Sequence, residues 1–491
     1  MNRAFLGFVF AMSLVAASVP SEARADGDDD DDDDARGPDG EVAELVDKVE
    51  ADRIQETIEK LEAFGTRHSC SGSPAPGRGV TGARDYIFKR FSHIKGLEVR
   101  LDPFQQVSCP TAPTFNVVAW LPGTVHPERL VIIGGHYDSR TIAVSDAASD
   151  APGANDSGSQ SSLVLETAKV LSHARHPATL VFITFSGEEQ GLFGSTSIAA
   201  NLTRYFPNAA PVAMLNSDIV GGDNTVNGAG ELRQFRLYSS GTPRETGLRT
   251  PDGSTDSTSP ARGLMRFIGT WGLPYVPSMQ MVPKLREDRP GRASDHRSFL
   301  NNAIPAVRFM ETVECSPSPV DNSCGGALPC PPPATTPVSC TSFDTSHQHS
   351  PGDRSQFVTA SYTARIAQVV AATAASLARA PLAPGDVKAI GNATAGVTMS
   401  WTAPANDPVV QYVIAARATT ENFYRNRVIA TETSRAVAPA ELGLAAGESF
   451  FISVAAVDAK GHESLFAYPE FRCDAAACAI PPGALDVTVR K

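Results

Sequence analysis

Apolar and polar positions along this chain fall into blocks of two kinds. Residues 41–63 set Val42, Leu45, Val46, Val49, Ile54, Ile58 and Leu61 mostly three and four apart, which predicts helix. Residues 97–107 and 115–121 read as strands, the second closed by a turn at Pro122-Gly123. The run 130–134 is apolar and ends in glycine, as a strand buried on both faces does. Next come a helix over 155–174, with Leu163, Leu165, Ala168 and Leu171 as its apolar positions, and a strand over 180–185. A helix over 191–201, strands over 212–215 and 304–309, and a closing helix over 359–380 complete the pattern. Buried strands alternating with helices predict an α/β fold, a mixed, mostly parallel sheet with helices on both faces. In such sheets ligands bind beyond the carboxyl ends of the strands.

The pattern breaks at Pro381-Leu382-Ala383-Pro384-Gly385, a natural linker. Beyond it, strands at 397–401, 410–417, 427–430 and 450–457 carry no helix signal and predict a C-terminal all-β sandwich. At 491 residues the chain also exceeds what one core usually serves. The expected units are therefore 41–380 and 381–472, with a tail over 473–491. Segments 240–260 and 314–340, rich in Gly, Pro, Ser and Thr, read as surface insertions.

The N-terminus reads as a targeting segment. Arg3, the apolar stretch 4–19 and Ala23-Arg24-Ala25 predict a signal peptide over 1–25, an uncleaved anchor being the alternative. The mature chain is then expected to be secreted or periplasmic, with no membrane span. Of the formal net charge of −12, much sits at Asp26 and residues 28–34, so 26–40 is expected to be a solvated, disordered leader. No basic stripe points to nucleic acid. The eight cysteines of an exported chain predict disulfides: Cys70–Cys109, two bridges among Cys315, Cys324, Cys330 and Cys340, and Cys473–Cys478. A cysteine-bound zinc is the other reading of the middle four, and no Cys-x-x-Cys spacing supports it.

Five motifs carry candidate chemistry: His136-Tyr137-Asp138, Gly153-Ala154-Asn155-Asp156-Ser157-Gly158, Gly187-Glu188-Glu189-Gln190-Gly191, Asn216-Ser217-Asp218, and His347-Gln348-His349-Ser350-Pro351-Gly352-Asp353. Each has an ordinary reading alone. His136 and Asp138 can be a hydrogen-bonded pair, Asp156 a helix cap, Glu188 and Glu189 solvated acids, Asp218 a turn residue, and His349 a loop residue with His347 as its rival. Together they offer two imidazoles and three carboxylates at strand ends. Two zinc ions sharing one carboxylate would each receive one His and one further acid, leaving a water position open. Of the adjacent acids Glu188 and Glu189, one can ligate while the other addresses that water as general base.

On these motifs, the chain from about Val42 to Ala380 resembles the secreted bacterial zinc aminopeptidases of the di-zinc exopeptidase family, relatives of the glutaminyl cyclases. The resemblance implies two Zn2+ per chain, with His136, Asp156, Glu189, Asp218 and His349 as ligands and Asp156 shared between the ions. It implies Glu188 as catalytic base, Asp138 orienting His136, and a cis Asp156-Ser157 bond. Ser294-Asp295-His296 matches a segment lining the substrate cleft. The C-terminal unit resembles a fibronectin type III module through Trp401, Tyr412 and residues 451–458, which implies a spacer or a surface or polymer attachment unit.

The expected activity is removal of N-terminal residues from peptides or proteins by a metal-bridged hydroxide assisted by Glu188. The alternatives are a single-zinc glutaminyl cyclase and a non-catalytic binding protein on a peptidase scaffold.

Overall fold

A computed structural model describes residues 39–75, 77–110, 114–240, 259–289, 292–313 and 347–481. The expected signal peptide, the four middle cysteines and most of both insertions lie outside the described residues. One sheet dominates, built from β1 (Glu98–Phe104), β2 (Thr114–Leu121), β3 (His126–His136), β4 (Ala178–Phe185), β5 (Ala210–Ser217), β6 (Gln234–Tyr238), β7 (Gln280–Lys284) and β8 (Ala306–Glu311). Its order is β1-β2-β4-β3-β5-β8-β6-β7. The central strands β4, β3, β5 and β8 run parallel, while β1, β2 and the β8–β6 pair are antiparallel. This is the mixed, mostly parallel sheet the strand pattern predicts.

Alternation along the strands explains why both faces are covered. Val131 and Ile133 of β3 point into a core shared with α1 (Gly40–Val46), α2 (Ala51–Glu62), α3 (Val80–Ser92), α4 (Gln160–Leu171) and α8 (Ala360–Arg379). Leu130 and Ile132 point the other way, to a smaller core with Ile198 of α5 (Phe193–Ala199) and Phe299 of α7 (His296–Leu300). All eight residues of β4 are buried. The predicted helix over 41–63 is two helices, α1 and α2. In this unit β6, β7, α3, α6 (Pro260–Phe267) and α7 occur where no element is predicted.

After α8 the chain forms an antiparallel sandwich. One sheet is β13-β10-β9, using β9 (Gly385–Asn392), β10 (Gly396–Thr402) and β13 (Ser434–Val437). The other is β12-β11-β14-β15-β16, using β11 (Val409–Ala418), β12 (Arg427–Ala430), β14 (Phe450–Asp458), β15 (Phe471–Cys473) and β16 (Cys478–Ala479). The two share one core around Trp401 and Tyr412, whose rings meet edge to face at 5.1 Å. The second sheet runs through Cys478, beyond residue 472 where the linear pattern ends. The pairs Cys70–Cys109 and Cys473–Cys478 are bonded as expected. Among the described residues no helix is long and apolar enough to cross a membrane.

Candidate metal centre

The parallel strands deliver four of the five motifs to one edge of the sheet. His136 is the last residue of β3, and Glu188 and Glu189 follow β4 by one short turn. Asp218 follows β5, and Asp156 lies in the turn that opens α4. Two of these turns need glycine. A Cβ at Gly153, where φ is +50°, would collide with Asp156 O and Ser139 Cβ, and one at Gly187, where φ is +73°, with Gln106 Oε1. The Asp156-Ser157 bond is cis.

Two groups of ligand-type atoms result. Those of His136, Glu188 and Asp218 lie within 4.8 Å of one another, as do those of Asp156, Glu189 and His349. The groups touch through Asp156, whose Oδ1 is 3.2 Å from His136 Nε2 and whose Oδ2 is 3.1 Å from His349 Nε2. His136 Nε2 is also 3.5 Å from Asp218 Oδ1, and His349 Nε2 is 3.3 Å from Glu189 Oε2. His347, the rival, turns away. Its Nδ1 pairs with Asp223 Oδ2 at 2.8 Å, and its ring stacks on Phe357 at 3.8 Å.

Charge makes this arrangement costly without a cation. Three of the acids, Asp156, Asp218 and Glu189, have side chains no more than 5% exposed. Glu189 Oε1 is buried with no hydrogen-bond donor among the described residues. Desolvation raises the Asp156 pKa, yet both histidines outweigh it and hold the carboxyl well below its usual range. Desolvation opposes a charged His136 too, but the Glu188 charge and contacts with Asp138, Asp156 and Asp218 push its pKa well above normal. Imidazoles and carboxylates crowded in a dry pocket form a donor set suited to divalent zinc.

Glu188 differs from its neighbour. Both residues keep some exposed surface, but Glu188 faces the His136 group and protein crowds its carboxyl. Desolvation raises its pKa well above the ordinary glutamate value; His136 opposes this, and Asp218, Glu189 and Asp295 reinforce it. Asp138 is fully buried and ties two motifs together. Its carboxylate accepts the Glu188 and Glu189 amides at 3.3 and 3.2 Å, and its carbonyl meets His136 Nδ1 at 3.1 Å. Its nearer carboxylate oxygen stands off from that nitrogen at 3.6 Å.

Ser294, Asp295 and His296 are buried, none more than 1% exposed, so they offer no open wall to a substrate. Ser294 Oγ accepts a hydrogen bond from Asn216 Nδ2 at 2.7 Å, and His296 Nε2 meets Glu287 O at 2.9 Å. Burial pushes the Asp295 carboxyl up to about 7.

Several site residues escape the sequence patterns. Arg140 Nε donates to Glu189 Oε2 at 2.6 Å, and Arg308 Nη2 lies 3.0 Å from Asp218 Oδ2. Gln348 Nε2 donates to Asp156 Oδ2 at 2.6 Å. Asp353, the last residue of the His349 motif, accepts the Asn155 and Asp156 amides at 2.8 and 3.0 Å. Arg67, fully buried, braces the same turn through Tyr137 O at 2.7 Å and Gly153 O at 2.8 Å. Gln348 and Asp353 lie inside the His349 motif without a role being assigned to them, and of the arginines only Arg308 shows a linear signal, a charge inside the apolar run Ala306-Val307-Arg308-Phe309.

Residues 116–374 match the model of Peptidase family M28. A probable zinc metalloprotease of Pyrenophora tritici-repentis is 33% identical over 410 residues, covering 79% of this chain and 88% of that protein. Another, from Leptosphaeria maculans, is 31% identical over 413 residues, covering 79% and 88%. Both are fungal, so they lend nothing to the bacterial part of the resemblance. Among solved structures, the Legionella pneumophila LapA aminopeptidase is 16% identical with a TM-score of 0.48, covering 68% of this chain and 73% of that one. The Porphyromonas gingivalis glutaminyl cyclase is 15% identical with a TM-score of 0.45, covering 66% and 98%. The matched segment contains every motif of the two clusters, and with it the chain belongs to peptidase family M28.

Proposed function

We propose that this chain is an exported zinc aminopeptidase that removes N-terminal residues from peptides or proteins. His136, Asp156, Glu189, Asp218 and His349 would hold two Zn2+ per chain, with Asp156 as the carboxylate common to both groups. The observation that carries this reading is the Asp156 carboxylate, which offers one oxygen to each histidine. The fungal relatives named as probable zinc metalloproteases support the choice of metal.

When bound, the zinc pair supplies an acidified water and polarises the scissile carbonyl. Glu188 takes a proton from the attacking water and returns it to the leaving amine. Its raised pKa suits a group that must hold that proton between the two steps. Asp138 fixes the turn that carries Glu188 and Glu189 by accepting both backbone amides. Acidic groups around the clusters receive the free ammonium of the substrate, which favours action at chain ends. The C-terminal sandwich is of fibronectin type III class and takes no part in the chemistry.

Release of p-nitroaniline from amino-acid p-nitroanilides, with and without a chelator, tests the proposal. Chelator-sensitive release by protein holding two zinc ions supports it. One zinc ion with cyclisation of N-terminal glutamine, or two ions without turnover, overturns it.

A further inference from the structure

We infer that Arg140 and Arg308 are positioning residues, one for each half of the metal centre, that each hold one oxygen of a ligand carboxylate and leave the other to the cation. The inference rests on the two-metal reading above.

The two contacts come from unrelated parts of the chain. Arg308 sits in β8, beside β5, and Arg140 in the segment after β3. Arg308 Nη2 meets Asp218 Oδ2 as an ion pair at 3.0 Å without hydrogen-bond geometry, while Oδ1 is the oxygen that faces His136. Arg140 bonds Glu189 at Oε2, the oxygen that also lies 3.3 Å from His349 Nε2, while the buried Oε1 has no donor among the described residues and is the one left for a cation. Each terminal acid of the centre is thus half committed to a guanidinium.

Arg308 has no exposed surface, and its charge is balanced on both sides. Nη1 bonds Asp288 Oδ2 at 2.6 Å, opposite the Asp218 contact. Asp288 Oδ1 is itself filled, by the Arg289 amide at 2.7 Å and Nε at 3.1 Å. A dry guanidinium is expensive, and an apolar side chain in β8 would fill the same space at lower cost. Its position against a ligand carboxylate supplies the reason to keep it. Arg140 is steadied too, by Nη1 bonding Thr141 O at 3.1 Å.

Two consequences follow. A carboxylate pinned at one oxygen ligates through the other, which fixes its direction. The two guanidiniums also offset two of the three ligand charges, an effect that opposes zinc binding, so the fixed direction of the carboxylates must outweigh it for affinity to fall in the variants. Partners of this kind typically change metal affinity by roughly 10–100-fold.

Zinc affinities of the full-length protein, measured by competition with a chromogenic chelator, decide the matter. With Arg308→Met one of the two zinc ions is expected to weaken by roughly 10–100-fold while the other is unchanged, and with Arg140→Met the reverse. Arg308→Lys, keeping the charge without the fork, restores part of the loss. If Arg308→Met does not fold, Arg308→Lys and Arg140→Met carry the test through the same site-by-site readout. Unchanged affinities, tighter binding, or equal weakening of both ions in either variant overturns the inference. Wild-type protein that binds fewer than two zinc ions instead overturns the function proposed above.

Discussion

Arg129 and Asp407 form a forked ion pair across the seam between the main sheet and the sandwich, with Nη1–Oδ1 and Nη2–Oδ2 both 2.9 Å. Asp407 also accepts the Leu382 amide at 2.9 Å and lies 3.3 Å from His126 Nε2. A second buried knot joins Arg266 of α6 to Glu470, which also takes Arg417 and Tyr424. The sandwich is therefore fastened to the sheet rather than trailing from it.

Removing one partner of the Arg129–Asp407 pair strands the other charge, since both side chains are less than a tenth exposed. Asp407→Ala is expected to cost about 3–5 kcal/mol in denaturant unfolding of the full chain. Joint replacement of both residues by apolar ones of similar size should cost far less. A single-variant cost below about 1 kcal/mol, the level of an exposed pair, would mean the seam is open to water.

Glu188→Gln keeps the shape of the side chain and removes its basicity. Turnover of an amino-acid p-nitroanilide should fall by roughly 10²–10⁴-fold, with zinc content as in wild type. Near-normal turnover in that variant would take the proton-transfer role from Glu188.

Asp353 holds two backbone amides of the turn that aims Asp156. Asp353→Ala leaves both buried and unpaired, at roughly 1–3 kcal/mol each. Unfolding of metal-free protein should register that loss, and Asp353→Asn, which keeps one acceptor, should fall between. Equal stability of Asp353→Ala and wild type would show that water replaces the carboxylate.

Glu311 gives stability a pH dependence of definite sign. Burial, with help from Asp223, pushes its pKa from an ordinary 4.5 up to about 8. The native state then binds the proton more tightly than the unfolded chain, so this group's contribution is full below about 4.5 and drains away as pH rises to about 8. Thermal midpoints of zinc-saturated protein between pH 5 and 8 should fall more steeply for wild type than for Glu311→Gln. Parallel curves would mean that Glu311 is ionised throughout.

What could be read from the sequence divides by how local the cause is. The central strands are visible because burial on both faces leaves nothing polar in them, as in Leu180-Val181-Phe182-Ile183. Strands β6 and β7 are hidden by Gln234, Arg236, Gln280 and Lys284 in five-residue elements. Helix α3 is masked by Gly82 and by Arg84, Asp85, Lys89 and Arg90, which blur its apolar face. The motif residues of the site are legible because each follows a recognisable strand or turn. Arg140 and Arg308 are not, since their meaning lies in partners 49 and 90 positions away (Glu189 and Asp218), a relation that no local pattern encodes. The choice of His349 over His347 likewise depends on Asp223 and Phe357, which take His347 for themselves.

The most direct measurement is anomalous diffraction at the zinc edge from crystals of the full-length protein. Two peaks are expected, one on each side of the Asp156 carboxylate, with His136 and Asp218 around the first and His349 and Glu189 around the second. A single peak, or peaks that leave Asp156 uncoordinated, would contradict the account.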